Sequence, residues 1–146
     1  MWKSYLWFAV LCFIAIVEFG NVNNAFSKNI TAKIDISDQT MTVYVNGVPQ
    51  YFWLVSTASK GYRTPTGTFS PFRMHEVYFS EQYNNAPMPY SVFFYKGYAI
   101  HGTTAVKSLG RPASHGCVRL DPSNAAVLFS LIKTYGPQNA RIVITQ

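Results

Sequence analysis

The run Ile30-Thr31-Ala32-Lys33-Ile34-Asp35-Ile36, followed after Asp38-Gln39 by Met41-Thr42-Val43-Tyr44-Val45-Asn46-Gly47-Val48, decides the fold class. Ile30, Ala32, Ile34 and Ile36 alternate with Thr31, Lys33 and Asp35, which is the two-residue period of a strand with one buried face. Asp38-Gln39 reads as a turn and Met41 to Val45 as the next strand, rich in residues that fit a pleated surface. Asn46-Gly47 then supplies the two positive-φ positions that a type I′ hairpin turn demands, so residues 48–57 should run back alongside as a third strand.

Outward from this hairpin the pattern stays β. Thr64-Pro65-Thr66-Gly67-Thr68-Phe69 is a turn-rich segment leading into a strand. Residues 71–90 are aromatic and punctuated by Pro71, Pro87 and Pro89, which reads as a long lid or binding loop. Ser91 to Ile100 returns to strand. Asp121-Pro122 offers a helix N-cap followed by proline at the first helical position. Val127, Leu128, Leu131 and Ile132 repeat at helical spacing as a core stripe, Gly136 ends the helix, and Arg141 to Thr145 forms a last strand. The expected architecture is mainly β, an antiparallel sandwich or curled sheet with one main helix near the C-terminus.

Towards the N-terminus, Lys3 precedes an apolar run from Leu6 to Val17 that is short for a bilayer span. Ala25-Phe26-Ser27 puts small residues where a signal peptidase reads. Residues 1–27 are therefore expected to be a signal peptide cleaved after Ser27, with Ala25 the neighbouring alternative and an uncleaved membrane anchor the other. Ala9-Val10-Leu11 before Cys12 is a poor lipobox. Residues 28–146 then form one exported domain, in the periplasm or cell envelope, touching membrane only through an uncleaved leader.

Composition agrees with a globular chain: 49% of the 146 residues are apolar and 12% charged. The formal charge is +6. Its Lys and Arg are scattered rather than striped, which argues against a nucleic-acid partner and suits an anionic polymer only loosely. Cysteine usage is sharper. Cys12 leaves with the leader, so one cysteine, Cys117, remains in an oxidising compartment where cysteines usually pair, and a leftover thiol there calls for a chemical role.

Cys117 stands in the stretch His101-Gly102-Thr103, then Arg111-Pro112-Ala113-Ser114-His115-Gly116-Cys117-Val118-Arg119-Leu120. A thiol attacks only as thiolate, so Cys117 needs a base, a positive field, or both. His101 suits the base, and the amides around Gly116 and Cys117 suit an oxyanion hole. Arg119 suits a substrate carboxylate or the thiolate. His101, His115 and Cys117 also suggest zinc, but no fourth ligand has a matching spacing. His75 reads as a loop residue, and Phe72, Tyr78, Tyr83 and Tyr90 as lid aromatics or loop anchors.

Three segments together, Thr64 to Phe69, Ala99 to Thr103 and Ser114 to Leu120, resemble the L,D-transpeptidase catalytic domain, over about Ile30 to Ile144. The resemblance implies a β-sandwich in which Cys117 is the nucleophile and His101 its base. The Gly102 carbonyl would orient the imidazole, His115 and Arg119 would line the site, and Ser114 would support the loop with Gly116. Arg119 and, among the loop aromatics, Tyr90 are expected to meet substrate. It implies acyl transfer on peptidoglycan stem peptides with no metal or organic cofactor. The acceptor is a second stem-peptide amine, a lysine of an envelope protein, or water. Alternatives are an L,D-carboxypeptidase or wall amidase of the same fold, or a catalytically silent wall-binding module. Sortases separate Cys, His and Arg more widely, and papain-like wall peptidases place Cys before His.

Overall fold

A computed structural model describes residues 28–146; the expected signal peptide, 1–27, lies outside them. In chain order the strands are β1 (Ile30–Asp35), β2 (Thr40–Val45), β3 (Val48–Leu54), β4 (Gly67–Phe69), β5 (Arg73–His75), β6 (Phe79–Ser80), β7 (Ala86–Pro87), β8 (Ser91–Tyr95), β9 (Tyr98–Gly102), β10 (Val118–Leu120) and β11 (Ala140–Thr145). One α-helix, α1 (Pro122–Tyr135), precedes β11. Five strands form one sheet in the order β3-β2-β1-β11-β4, four form a second in the order β10-β9-β8-β5, and β6 pairs with β7.

The local chemistry explains most of these elements. Asn46 and Gly47 both have positive φ, 52° and 79°, and join β2 to β3 with Val45 opposite Val48. The Asp121 carboxylate caps α1 by accepting from the Ser123 amide at 2.9 Å, and Pro122 fills the first helical position. Ile30, Ala32 and Ile34 of β1 turn one face into a core that also takes Met41 and Val43, Val92 and Phe94, Ile100, Val118 and Leu120, and the inner face of β11. This core joins both sheets to the helix, which packs chiefly on β9. No helix among the described residues is long and apolar enough to cross a membrane.

The structure corrects four expectations. The sheets are mixed rather than antiparallel: β1 runs parallel to β11, and β9 parallel to β10. Parallel partners need a crossover, which leaves no tight-turn signature in the sequence. Ser91 to Ile100 is two strands, broken at Lys96-Gly97, where Lys96 adopts φ 48°. Residues 71–90 contain three short strands and a 3₁₀ turn (Glu81–Tyr83) instead of bare loop. The buried face of α1 is Ala125, Leu128, Phe129 and Ile132, so Val127 and Leu131 sit beside the core stripe rather than on it.

Candidate active site

The parallel pair β9–β10 builds the site. Its register sets Val118 against Ile100, Arg119 against His101 and Leu120 against Gly102. Strand alternation sends Ile100, Val118 and Leu120 into the core and leaves His101, Cys117 and Arg119 together on the other face. There they line one cavity of about 910 Å³. Two isolated bridges, Ser56 with Arg119 and Ala58 with Ser114, tie the chain after β3 to this segment.

His101 is buried, and its Nδ1 lies 2.7 Å from the Gly102 carbonyl oxygen. A carbonyl only accepts, so Nδ1 carries the hydrogen and Nε2 is left with its lone pair, the arrangement a proton acceptor needs. Burial pulls the imidazole pKa down to about 4; the Gly102 bond opposes this, and the Arg119 charge adds to it. Burial likewise pushes the Cys117 thiol up, against smaller downward pulls from an Ala99 backbone hydrogen bond and from Arg119. At neutral pH the resting pair is thus neutral thiol and neutral imidazole.

The loop before Cys117 is held by its own hydrogen bonds. Ser114 is fully buried; its hydroxyl donates to the Cys117 carbonyl at 2.6 Å and accepts from the Gly116 amide at 3.0 Å. The Thr64 hydroxyl donates to the Gly116 carbonyl at 2.8 Å. Gly116 itself has φ 132°, and a Cβ there would stand 2.5 Å from the Tyr98 ring and 2.9 Å from the Arg63 carbonyl oxygen, so only glycine fits. Its amide, expected in an oxyanion hole, is spent on Ser114. Gly102 is wedged between Pro89 and Pro122, each 3.0 Å from where a Cβ would stand.

Arg119 is half-buried and gives one Nη1 bond, 3.2 Å, to the Ala113 carbonyl. His115 is exposed at the rim, stacked on Tyr83 (4.5 Å between centroids, 16°) and edge-on to Tyr62 at 4.6 Å. Tyr90 does not line the cavity. Its ring packs edge-on against Phe129 of α1 at 5.9 Å, as an anchor of the core. Arg111 is exposed and offers its carbonyl to the Ser56 hydroxyl.

Sequence reasoning passed over Arg73, Glu81 and Tyr98, which line the cavity, and gave Thr64, which bonds the loop at Gly116, no more than a turn role. Thr64 belongs to a segment read as turn chemistry, and Arg73 to a strand hidden in an irregular stretch. No three His, Cys, Asp or Glu side chains gather as a metal site among the described residues.

In this mainly β domain a buried imidazole and a half-buried thiol line one cavity beside the parallel β9–β10 pair. The sequence profile of the L,D-transpeptidase catalytic domain (YkuD) matches residues 29–144, and the chain belongs to that family. No curated protein sequence matches it. Similar solved structures include an L,D-transpeptidase from Mycobacterium smegmatis, 23% identical with TM-score 0.72, covering 81% of this chain and 59% of that one. Another, from Stackebrandtia nassauensis, is 27% identical with TM-score 0.71, covering 82% and 56%. L,D-transpeptidase 3 from Mycobacterium tuberculosis, described with a faropenem-derived adduct, is 18% identical with TM-score 0.68, covering 80% and 60%. The chain spans less than two thirds of the length of these structures. At 23% and 18% identity the first and third attest the fold alone.

Proposed function

We propose that the protein is an L,D-transpeptidase that acts on peptidoglycan stem peptides through a thioester on Cys117. One observation carries this reading: Cys117, just before β10, lines one cavity with His101 and Arg119, whose strands pair, and the His101 Nδ1 is bonded to the Gly102 carbonyl.

The chemistry is a two-step acyl transfer. His101 Nε2 takes the Cys117 proton as Sγ attacks the carbonyl carbon of the third stem residue. With the Gly116 amide engaged by Ser114, the Cys117 amide is left to donate to the developing oxyanion. The C–N bond to the terminal D-alanine then breaks, and the imidazolium returns its proton to the leaving amine. An acceptor amine attacks the thioester, His101 takes its proton, and the thiol re-forms. Arg119 holds a substrate carboxylate. The acceptor is a second stem peptide, an envelope-protein lysine, or water, which would make the reaction a carboxypeptidase step. No metal or organic cofactor enters these steps. Such a substrate lies outside the cytoplasm, which agrees with export by residues 1–27.

Incubation of the purified protein with a stem tetrapeptide, read by mass spectrometry, tests this. D-Alanine release with a new cross-linked or hydrolysed product is expected from the wild type and from no Cys117→Ala sample. Release that survives Cys117→Ala contradicts the proposal.

A further inference from the structure

A second cavity, of about 460 Å³, adjoins the catalytic one, and of its lining residues Tyr98 alone borders both. Aromatic rings form one wall. Phe69 lies 5.5 Å from Tyr95, and Tyr95 stacks on Tyr98 at 6.2 Å and 21° between planes. Arg63 and Lys96 also line this cavity, and no acidic residue does. The Lys96 Nζ stands 5.2 Å from the centre of the Tyr95 ring. Neither cation is in an ion pair among the described residues, where the one pair is Lys133 with Glu76 on the surface.

The turn between β8 and β9 gives a second, independent sign. Lys96 holds φ 48°, in the left-handed region. Gly or Asn is the residue such a turn position favours, because other side chains strain the backbone there. The β2–β3 hairpin of the same molecule takes that ordinary solution with Asn46 and Gly47. At Lys96 the chain tolerates the strain and gains an ammonium group on the cavity wall.

We infer that this second cavity binds a phosphorylated sugar, its phosphate met by Arg63 and Lys96 and its ring packed on the Tyr95–Tyr98 wall. Charge chooses the anion. A phosphate monoester carries roughly two negative charges at neutral pH and takes both cations, whereas a carboxylate carries one. The wall chooses the carrier. The C–H face of a sugar ring packs on an aromatic face through dispersion, and tyrosine hydroxyls can bond its polar edge. Because Tyr98 alone is shared, an occupant leaves the Cys117 cavity open. The site thus holds a phosphorylated glycan or glycolipid beside the catalytic centre without filling it. Binding here does not use Cys117, so the inference stands apart from the transpeptidase reading.

Calorimetric titration of the purified protein with N-acetylglucosamine 1-phosphate tests this, with N-acetylglucosamine and inorganic phosphate as the two half-ligands. The wild type should bind the sugar phosphate at least about tenfold tighter than either half. Arg63→Gln and Lys96→Asn should each weaken that binding by about tenfold, the worth of one charge-assisted hydrogen bond, and Lys96→Arg should keep most of it. Lys96→Asn also relaxes the turn, so its unfolding temperature should hold or rise while binding falls, which separates lost binding from lost fold. A sugar phosphate held no tighter than inorganic phosphate overturns the inference, as does undiminished binding by Lys96→Asn. Pelleting with phosphatidylcholine vesicles that contain lipid A, lost in Lys96→Asn, would trace the ligand to a lipid. Binding of the soluble probe alone would trace it to a free polymer.

Discussion

Two histidines stand near Cys117, and their surroundings differ. His101 is buried, bonded through Nδ1 to Gly102, and held neutral with its pKa near 4. His115 is exposed at the rim, stacked on Tyr83 and edge-on to Tyr62. The first has the fixed tautomer and dry setting of an acid–base group; the second has the contacts of a side chain that joins two loops. His101→Ala should therefore lower kcat/KM for stem-peptide turnover by about two to four orders of magnitude, the range for positioned acid–base catalysis. His115→Ala should cost less, and mainly through KM. Matched steady-state kinetics check this, and a larger loss in His115→Ala would reverse the assignment. The sequence placed both histidines and the cysteine within seventeen residues, but not which imidazole was dry. Burial depends on β9 lying between β8 and β10, and no residue near His101 announces that.

At the scale of elements, the site depends on how closely β9, β10 and the Ser114–Cys117 loop approach. A Cβ at Gly116, whose φ is 132°, would stand 2.5 Å from the Tyr98 ring and 2.9 Å from the Arg63 carbonyl oxygen, whereas one at Gly102 would stand 3.0 Å from the Pro89 ring and from the Pro122 Cα. Gly116→Ala adds both a disfavoured φ and the closer collision, about 1–3 kcal/mol for the strain before any overpacking. Gly102→Ala adds overpacking alone. Thermal unfolding should show the larger drop for Gly116→Ala, together with the larger loss of turnover, because the Cys117 carbonyl and amide move with the loop. A more stable Gly116→Ala than Gly102→Ala would contradict the geometry. The β2–β3 hairpin and the capped helix were legible because Asn46-Gly47 and Asp121-Pro122 act through neighbours in sequence. The β9–β10 pair was not, since its partners meet across a crossover, and β5 was lost in a stretch whose prolines and aromatics mask a three-residue strand.

Over the whole molecule, a buried neutral imidazole makes stability depend on pH. An unfolded histidine binds a proton below its ordinary value of 6.5, while folded His101 resists until about 4. Between these values the unfolded chain binds more protons, so stability falls as pH drops through the window, by about 3 kcal/mol for a shift of this size. Chemical denaturation at pH 6.5, 5 and 4 should show that fall in the wild type and a shallower one in His101→Gln. Equal slopes would mean that His101 is not held neutral by the fold. The alternating pattern of Ile30, Ala32 and Ile34 made the class, mainly β with one helix, readable at once. The mixed strand directions were not readable, because β1 pairs with β11 across almost the whole domain.

The proposed mechanism requires that Cys117 carry the acyl group. Intact-mass spectrometry after brief exposure to a carbapenem, followed by peptide mapping, tests it most directly. One covalent adduct per chain is expected, on the Cys117 peptide, and none on Cys117→Ala under the same conditions. An adduct of the same mass that persists on Cys117→Ala would contradict it.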